Sequence, residues 1–367
     1  MHPPNYKDGS LINLMSSLGS ALGAKMTYKP LKILPPHELK DSTNIVLMVI
    51  DGLGYDYIKT DGQGSTFEKH MNGPIHSLFP SVTSAAIPLF LTGLDPQEHQ
   101  ITGWHMFLKE FGSVINSLPY QLKVSHFPLE HIKDISLVFN LKPFFNRIKV
   151  QSYVITYEDI VDSALSIATA GKAKRHGYKT LKGYFANIKK ILKKNKKKTF
   201  IYAYWPKYDS IAHHHGLKSK QLHGHFKQLD KGLESFLKSI KGTHTTVIVT
   251  SDHGMIDVPR SRRIDVNKHP VLAETLAVPL CGDFRYAYCY VKPDKTKQFE
   301  QYVRTTLKHC CTLHKSTDLV KKKYFGLFKP SKRFLDRIGD YTLIMKDNYA
   351  IYDFLPHEKR KYHIAVR

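Results

Sequence analysis

Three stretches of the chain are apolar almost without interruption. Asn44–Ile50 reads NIVLMVI, Thr199–Trp205 reads TFIYAYW and Thr245–Thr250 reads TTVIVT. A strand with one wet face alternates apolar and polar residues, whereas a continuous branched run fits a strand covered on both faces of a mainly parallel sheet. Between these runs the period changes. Lys218–Ile240 places Leu222, Phe226, Leu229, Leu233, Phe236 and Leu237 on one stripe, as in an amphipathic helix, and residues 10–23 (SLINLMSSLGSALG) predict a shorter one. Strand, helix and strand in alternation predict an α/β fold with helices on both faces of the sheet. Phe284–Val291 (FRYAYCYV) alternates like an antiparallel or edge strand. Residues 105–198 break the alternation with aromatic, proline-punctuated and basic stretches, and read in part as a cap inserted over the strand ends of one domain spanning 1–367.

Each apolar run leads to an acidic residue. Asp51 ends the first. Asp209 lies just past the second, in D-x-x-x-H-x-x-G with His213 and Gly216, and Asp252 and His253 follow the third in SDHGM. In open α/β sheets ligand sites form at the carboxyl ends of the strands. Carboxylates and imidazoles are oxygen and nitrogen ligands of Zn2+, and two such sets can hold two ions about 4 Å apart. Residues 79–85 (FPSVTSA) add a hydroxyl: Thr83 follows a turn and starts a predicted helix, where backbone amides favour an anion. Singly, each signal has a plainer reading. An aspartate at a strand end caps turns, and Thr83 alone reads as a helix N-cap. D-x-x-x-H arises by chance among 21 histidines, and His214 and His215 leave open which imidazole points inward. The joint occurrence of the signals, in order and at strand ends, is what singles out one site.

Composition narrows the classes. Hydrophobic residues are 42% and charged residues 23%, which excludes disorder for the bulk of the chain. The apolar run Ile45–Ile50 is far shorter than the ~20 residues of a membrane-spanning helix. The N-terminus shows no basic region followed by an apolar segment, so the default expectation is a cytoplasmic protein. Cys281, Cys289, Cys310 and Cys311 form no C-x-x-C pair and read as reduced thiols. The formal charge of +24 draws anions without choosing among them. Its two densest runs, Lys189–Lys198 and Lys321–Lys323, lack interleaved aromatics and fit a solvated helix end and loop better than a nucleic-acid patch. Nucleic acid is thus a partner that no motif supports.

The run Phe79-Pro80-Ser81-Val82-Thr83, with Thr92-Gly93-Leu94, Pro96 and His99 downstream, resembles the nucleophile segment of the type I phosphodiesterase/nucleotide pyrophosphatase branch of the alkaline phosphatase superfamily. The segments around Asp51, Asp209/His213 and Asp252/His253 match its metal-binding blocks in the same order, so the resemblance spans roughly residues 44–290. It implies an alkaline-phosphatase-like three-layer sandwich with a mainly parallel central sheet. It also implies two divalent metal ions, Zn2+ in this family, and a threonine that attacks phosphorus in a small phosphate-ester or nucleotide substrate. Asp51, Thr83, Asp252 and His253 would surround one metal, and Asp209 and His213 would begin the other. The family completes the second set with a late histidine in an H-G pair. This chain has no such pair: His363 takes that place, with His357 behind it and Arg367 at the aligned end. Nucleotide-cleaving relatives often carry an asparagine where Trp104 stands, so Trp104 is either a packing residue or an aromatic wall for a flat group. The resemblance thus implies a metal-dependent diesterase or pyrophosphatase working through phospho-threonine. Phosphonate hydrolysis or phosphomonoester hydrolysis is the alternative within the superfamily, and a catalytically weak anion- or nucleic-acid-binding protein the alternative outside it. The C-x-P-x-R start of the superfamily's sulfatases is absent.

Overall fold

The computed structural model describes residues 3–195, 197–355 and 363–366. His357 and Arg367 lie outside them. The three apolar runs form adjacent strands of a five-stranded parallel sheet. Its order is Lys174–Tyr178, Gln151–Tyr157, Thr199–Trp205, Asn44–Ile50, Thr245–Thr250. Asn44–Ile50 is buried at every position, and its side chains alternate between two cores. Ile45, Leu47 and Val49 face a cluster containing the helices Leu11–Ala21 and Thr83–Thr92. Val46, Met48 and Ile50 face one containing Leu181–Lys194 and Lys220–Ser239. Helices on both faces make three layers, and the fold is the expected α/β sandwich.

The helix Lys220–Ser239 starts where Ser219 accepts a hydrogen bond from the Leu222 amide, and it buries Leu222, Phe226, Leu229, Leu233 and Phe236. The basic run 189–198 opens as the end of the amphipathic helix Leu181–Lys194. There Ile191 and Leu192 are buried while Lys193 and Lys194 close the last turn.

A second, antiparallel sheet has the order Cys311–Lys315, Tyr341–Met345, Tyr286–Cys289, Cys281–Asp283, His105–Leu108, Ser113–Asn116, Gln121–Leu122. The stretch 105–198 is therefore shared between the two sheets. Residues 105–122 extend the antiparallel sheet, while Gln151–Tyr157 and Lys174–Tyr178 complete the parallel one. Lys174–Tyr178 reads KRHGY, a polar strand whose place at the sheet edge spares it burial on both faces. No described helix is long and apolar enough to cross a membrane. All four cysteines are buried free thiols.

Candidate active site

Asp51, Asp209 and Asp252 follow the carboxyl ends of three adjacent strands, Asn44–Ile50, Thr199–Trp205 and the edge strand Thr245–Thr250, and all three are buried. Thr83 opens the helix Thr83–Thr92 directly behind the extended residue Val82. Its hydroxyl lies 2.9 Å from His253 Nε2 and 3.3 Å from Asp51 Oδ1. His253 Nε2 lies 3.2 Å from both Asp51 Oδ1 and Asp252 Oδ2. Ligand atoms of Asp51, Asp252 and His253 fall within 4.8 Å of one another. Asp209 adjoins this group: a Cβ built on Gly52 would sit 3.2 Å from the Asp209 Cβ.

The atoms that do not face the site are tied elsewhere. Asp252 Oδ1 accepts from the amides of Gly52 at 3.1 Å and His253 at 3.0 Å, while its buried Oδ2 has no hydrogen-bond partner among the described residues. The Tyr204 hydroxyl donates to Asp51 Oδ2, leaving Oδ1 toward Thr83. His253 Nδ1 lies 3.0 Å from the Gly254 carbonyl, which can only accept, so Nδ1 carries the proton. Nε2 is then the nitrogen left to face the carboxylate oxygens of Asp51 and Asp252.

The second group repeats the arrangement. His213 Nδ1 donates to the Ala365 carbonyl at 2.6 Å, and its Nε2 faces Asp209 Oδ1 at 3.3 Å. Such a contact holds only with a proton or a cation between the two atoms, and a backbone carbonyl on the far nitrogen is the usual support of a metal-binding histidine. The three carboxylates make the same case. Burial first, and then the charges of Asp209 and Asp252, push Asp51 up to about 8. A buried cluster of negative charge is relieved by a bound cation. Asp51, Asp252 and His253 therefore fit a divalent ion, being the group of three such donors brought within ligating distance among the described residues, while Asp209 and His213 pair beside them.

His363 is half-buried, with its Nδ1 2.7 Å from His213 Nδ1. The tail holds it there: Ile364 N donates to the His213 carbonyl, and Ala365–Val366 pairs with Ile256–Asp257. All seven residues singled out in the sequence thus lie in one region. His99 does not join them. It is buried behind Thr83, donating through Nε2 to the Ala85 carbonyl and accepting the Ile101 amide on Nδ1.

Beside His213 and His363 opens a cleft of ≈ 570 Å³. Trp104, Phe284, Tyr352 and Phe354 line it, with Tyr352 stacked on Phe354 at an interplanar angle of 12°. Lys123 also lines it, 2% exposed, with Nζ donating to the Asp353 carbonyl at 3.0 Å. Sequence reasoning missed Lys123, one of 55 basic residues, and Tyr204, which reads as a core aromatic. Only the rarity of a lysine inside a folded core marks the first, and that needs the fold.

Fold and site together define an alkaline-phosphatase-like phosphoester hydrolase. The chain belongs to the type I phosphodiesterase/nucleotide pyrophosphatase family, whose model matches residues 45–364. That match passes residue 290 and takes in His363. Among solved structures, the chain is similar to inactive murine ectonucleotide pyrophosphatase/phosphodiesterase 5 in complex with AMP. The identity is 19% over 88% of this chain and 83% of that one, with a TM-score of 0.61. It is also similar to phosphonoacetate hydrolase from Sinorhizobium meliloti 1021 in complex with phosphonoformate, at 17% identity over 87% and 85% and a TM-score of 0.59. A comparison with curated proteins found no match.

Proposed function

We propose that the chain hydrolyses phosphodiester or pyrophosphate bonds of a small, nucleotide-like substrate through a phospho-threonine intermediate on Thr83. The observation that carries this reading is the pair of imidazoles whose outer nitrogens are satisfied by backbone carbonyls while Nε2 faces a carboxylate, one of them 2.9 Å from the Thr83 hydroxyl. Asp51, Thr83, Asp252 and His253 would hold one ion, and Asp209, His213 and His363 the other. Nitrogen and oxygen donors of this kind suit Zn2+. When bound, such ions lower the pKa of a hydroxyl and neutralise phosphoryl oxygens.

The chain's own residues do the rest. Asp51 Oδ1 is placed to accept the Thr83 proton, and the Tyr204 hydroxyl holds that carboxylate in position. Thr83 Oγ1 forms a bond to phosphorus as the bond to the leaving oxygen breaks, and water then cleaves the phospho-threonine. The start of the helix Thr83–Thr92 presents its amide dipoles to the phosphoryl group. Trp104, Phe284 and Tyr352 offer a base or other flat group an aromatic wall.

Lys123 favours a second reading. A buried cation in the cleft, with tryptophan in the asparagine's place, also suits a carboxylate-bearing phosphonate. A panel of bis-p-nitrophenyl phosphate, p-nitrophenyl phosphate, a dinucleotide pyrophosphate and phosphonoacetate, assayed with Zn2+, separates the two. Preference for the diesters or the pyrophosphate supports the first reading, preference for phosphonoacetate the second, and no turnover of any rejects both.

A further inference from the structure

The strand Thr245–Thr250 lies at the end of the parallel sheet and pairs on one side only, with Asn44–Val49. The Asn44 amide donates to the His244 carbonyl, which sets the phase of the ladder. Even-numbered residues turn their backbone groups toward the neighbouring strand, and Thr245, Val247 and Val249 turn theirs outward. Among the described residues these outward groups make no backbone hydrogen bond. All six residues are only half-buried, although the sequence TTVIVT is that of an inner strand.

The open edge is not flush with the surface. It forms the floor of a groove of ≈ 1020 Å³. One wall, continuous with the core on the Ile248 face, carries Leu14, Leu31 and Ile33. The other, continuous with the core behind Val247 and Val249, carries Leu233, Leu237 and Ile240. Lys238, Lys241, His70 and His244 also line the groove, Lys238 being paired with Glu234 on its own helix. Among the described residues, the only carboxylate lining the groove belongs to Asp252, which is fully buried.

We propose that this groove takes one extended segment of a partner protein as a sixth strand, added beside Thr245–Thr250. A row of strand-edge amides and carbonyls is satisfied only by another extended backbone, and such strand addition is a recurrent mode of peptide recognition. Six paired residues span about 20 Å. Because both walls are apolar, the segment is a short continuous run of branched apolar residues rather than an alternating one. The lysines at the rim select acidic flanks. A second copy of this chain is disfavoured twice over. Two edges that each lie at the floor of a groove cannot meet, and each copy brings a net charge of +24.

Residue-resolved hydrogen exchange on the full chain tests this. In the free protein the amides of Thr245, Val247 and Val249 should exchange about tenfold or more faster than those of Thr246, Ile248 and Thr250. The probe is the synthetic peptide Asp-Glu-Val-Ile-Val-Thr-Val-Asp-Glu, with a control carrying proline at the central valine. At millimolar concentration the first should slow the three outward amides about tenfold, and the control should not. Ile33→Asp, on an exposed wall residue outside the proposed catalytic group, should weaken peptide binding about tenfold and leave diester hydrolysis unchanged. Equal protection of odd and even amides in dilute free protein overturns the proposal, because the edge is then already covered. So does a peptide without effect on those amides. Protection that grows with protein concentration alone also overturns it, in favour of self-association.

Discussion

The two halves of the site are built differently. Asp51, Asp252 and His253 hang from the ends of adjacent strands, one inside the sheet and one at its edge, and each is pinned by a partner that leaves one atom facing inward. Asp209 and His213 sit instead on the helix Lys207–His215, and His213 is steadied by the chain's tail through Ala365 and Ile364. His363 arrives on that same tail. Strand ends in a sheet covered on both faces cannot move without disturbing two cores, whereas a short helix braced by a two-stranded pairing can. The first half should therefore behave as a rigid cup that loses everything when one member is removed. The second should tolerate change in graded fashion.

The largest effect expected is at Thr83, the proposed nucleophile. Thr83→Ala should cost on the order of 10³-fold or more in kcat with metal content unchanged, and Thr83→Ser should keep partial activity because the attacking oxygen survives. A variant lacking the hydroxyl that retains more than a few per cent of the rate, measured with bis-p-nitrophenyl phosphate, would falsify the assignment. The metal ligands break or confirm the contrast itself. Asp252→Ala should lose one Zn2+ and nearly all turnover. His363→Ala should lose the other ion and slow turnover about 10²-fold. Elemental analysis of each variant, with His357→Ala as control, decides. If His363→Ala keeps two ions and full rate, the tail histidine is not a ligand.

The strand-end half was also the legible half. The continuous apolar run that stops at Asp51 declares both a buried strand and the polar residue that ends it, because burial on two faces excludes any other pattern; the run before Asp252-His253 carries the same signal, although its strand is only half-buried at the sheet edge. Thr83 was legible through the motif around it. The rest depended on partners distant along the chain. Tyr204 differs from its neighbours in the TFIYAYW run only in that its hydroxyl meets Asp51, and no local pattern announces that. Lys123 is a wall of the cleft only because residues 113–122 join the second sheet. The strand KRHGY was hidden for a physical reason as well: at a sheet edge hydrophobic patterning is not required.

Tyr204→Phe tests how much of the rigid half resides in its supports. The hydroxyl holds Asp51 Oδ2, so its loss should weaken Zn2+ binding about tenfold while both ions still bind at saturation. Competition with a chelating dye measures this. An unchanged affinity would mean that strand geometry alone orients Asp51, and that the phenol is packing.

The smallest effect concerns the ground behind the nucleophile. His99 is fully buried, and its two bonds fix a neutral ring: Nε2 donates to the Ala85 carbonyl, two residues past Thr83, while Nδ1 accepts the Ile101 amide. Burial lowers its pKa to about 3 from the ordinary 6.5. The unfolded chain therefore takes up this proton near pH 6.5, and the folded chain resists it down to about 3. The stability His99 contributes is fully present above pH 6.5 and is lost as the pH falls from there toward 3. Between pH 7 and 5.5 the loss should be about 1 kcal/mol. Other buried histidines titrate in the same window, so the informative quantity is the difference in slope between the wild type and His99→Gln, from urea unfolding at both pH values. The variant should be less stable at pH 7 and less sensitive to acid by that amount. Equal slopes would show that the ring is protonated as readily in the fold as out of it, and that the support beneath Thr83 does not depend on a neutral His99.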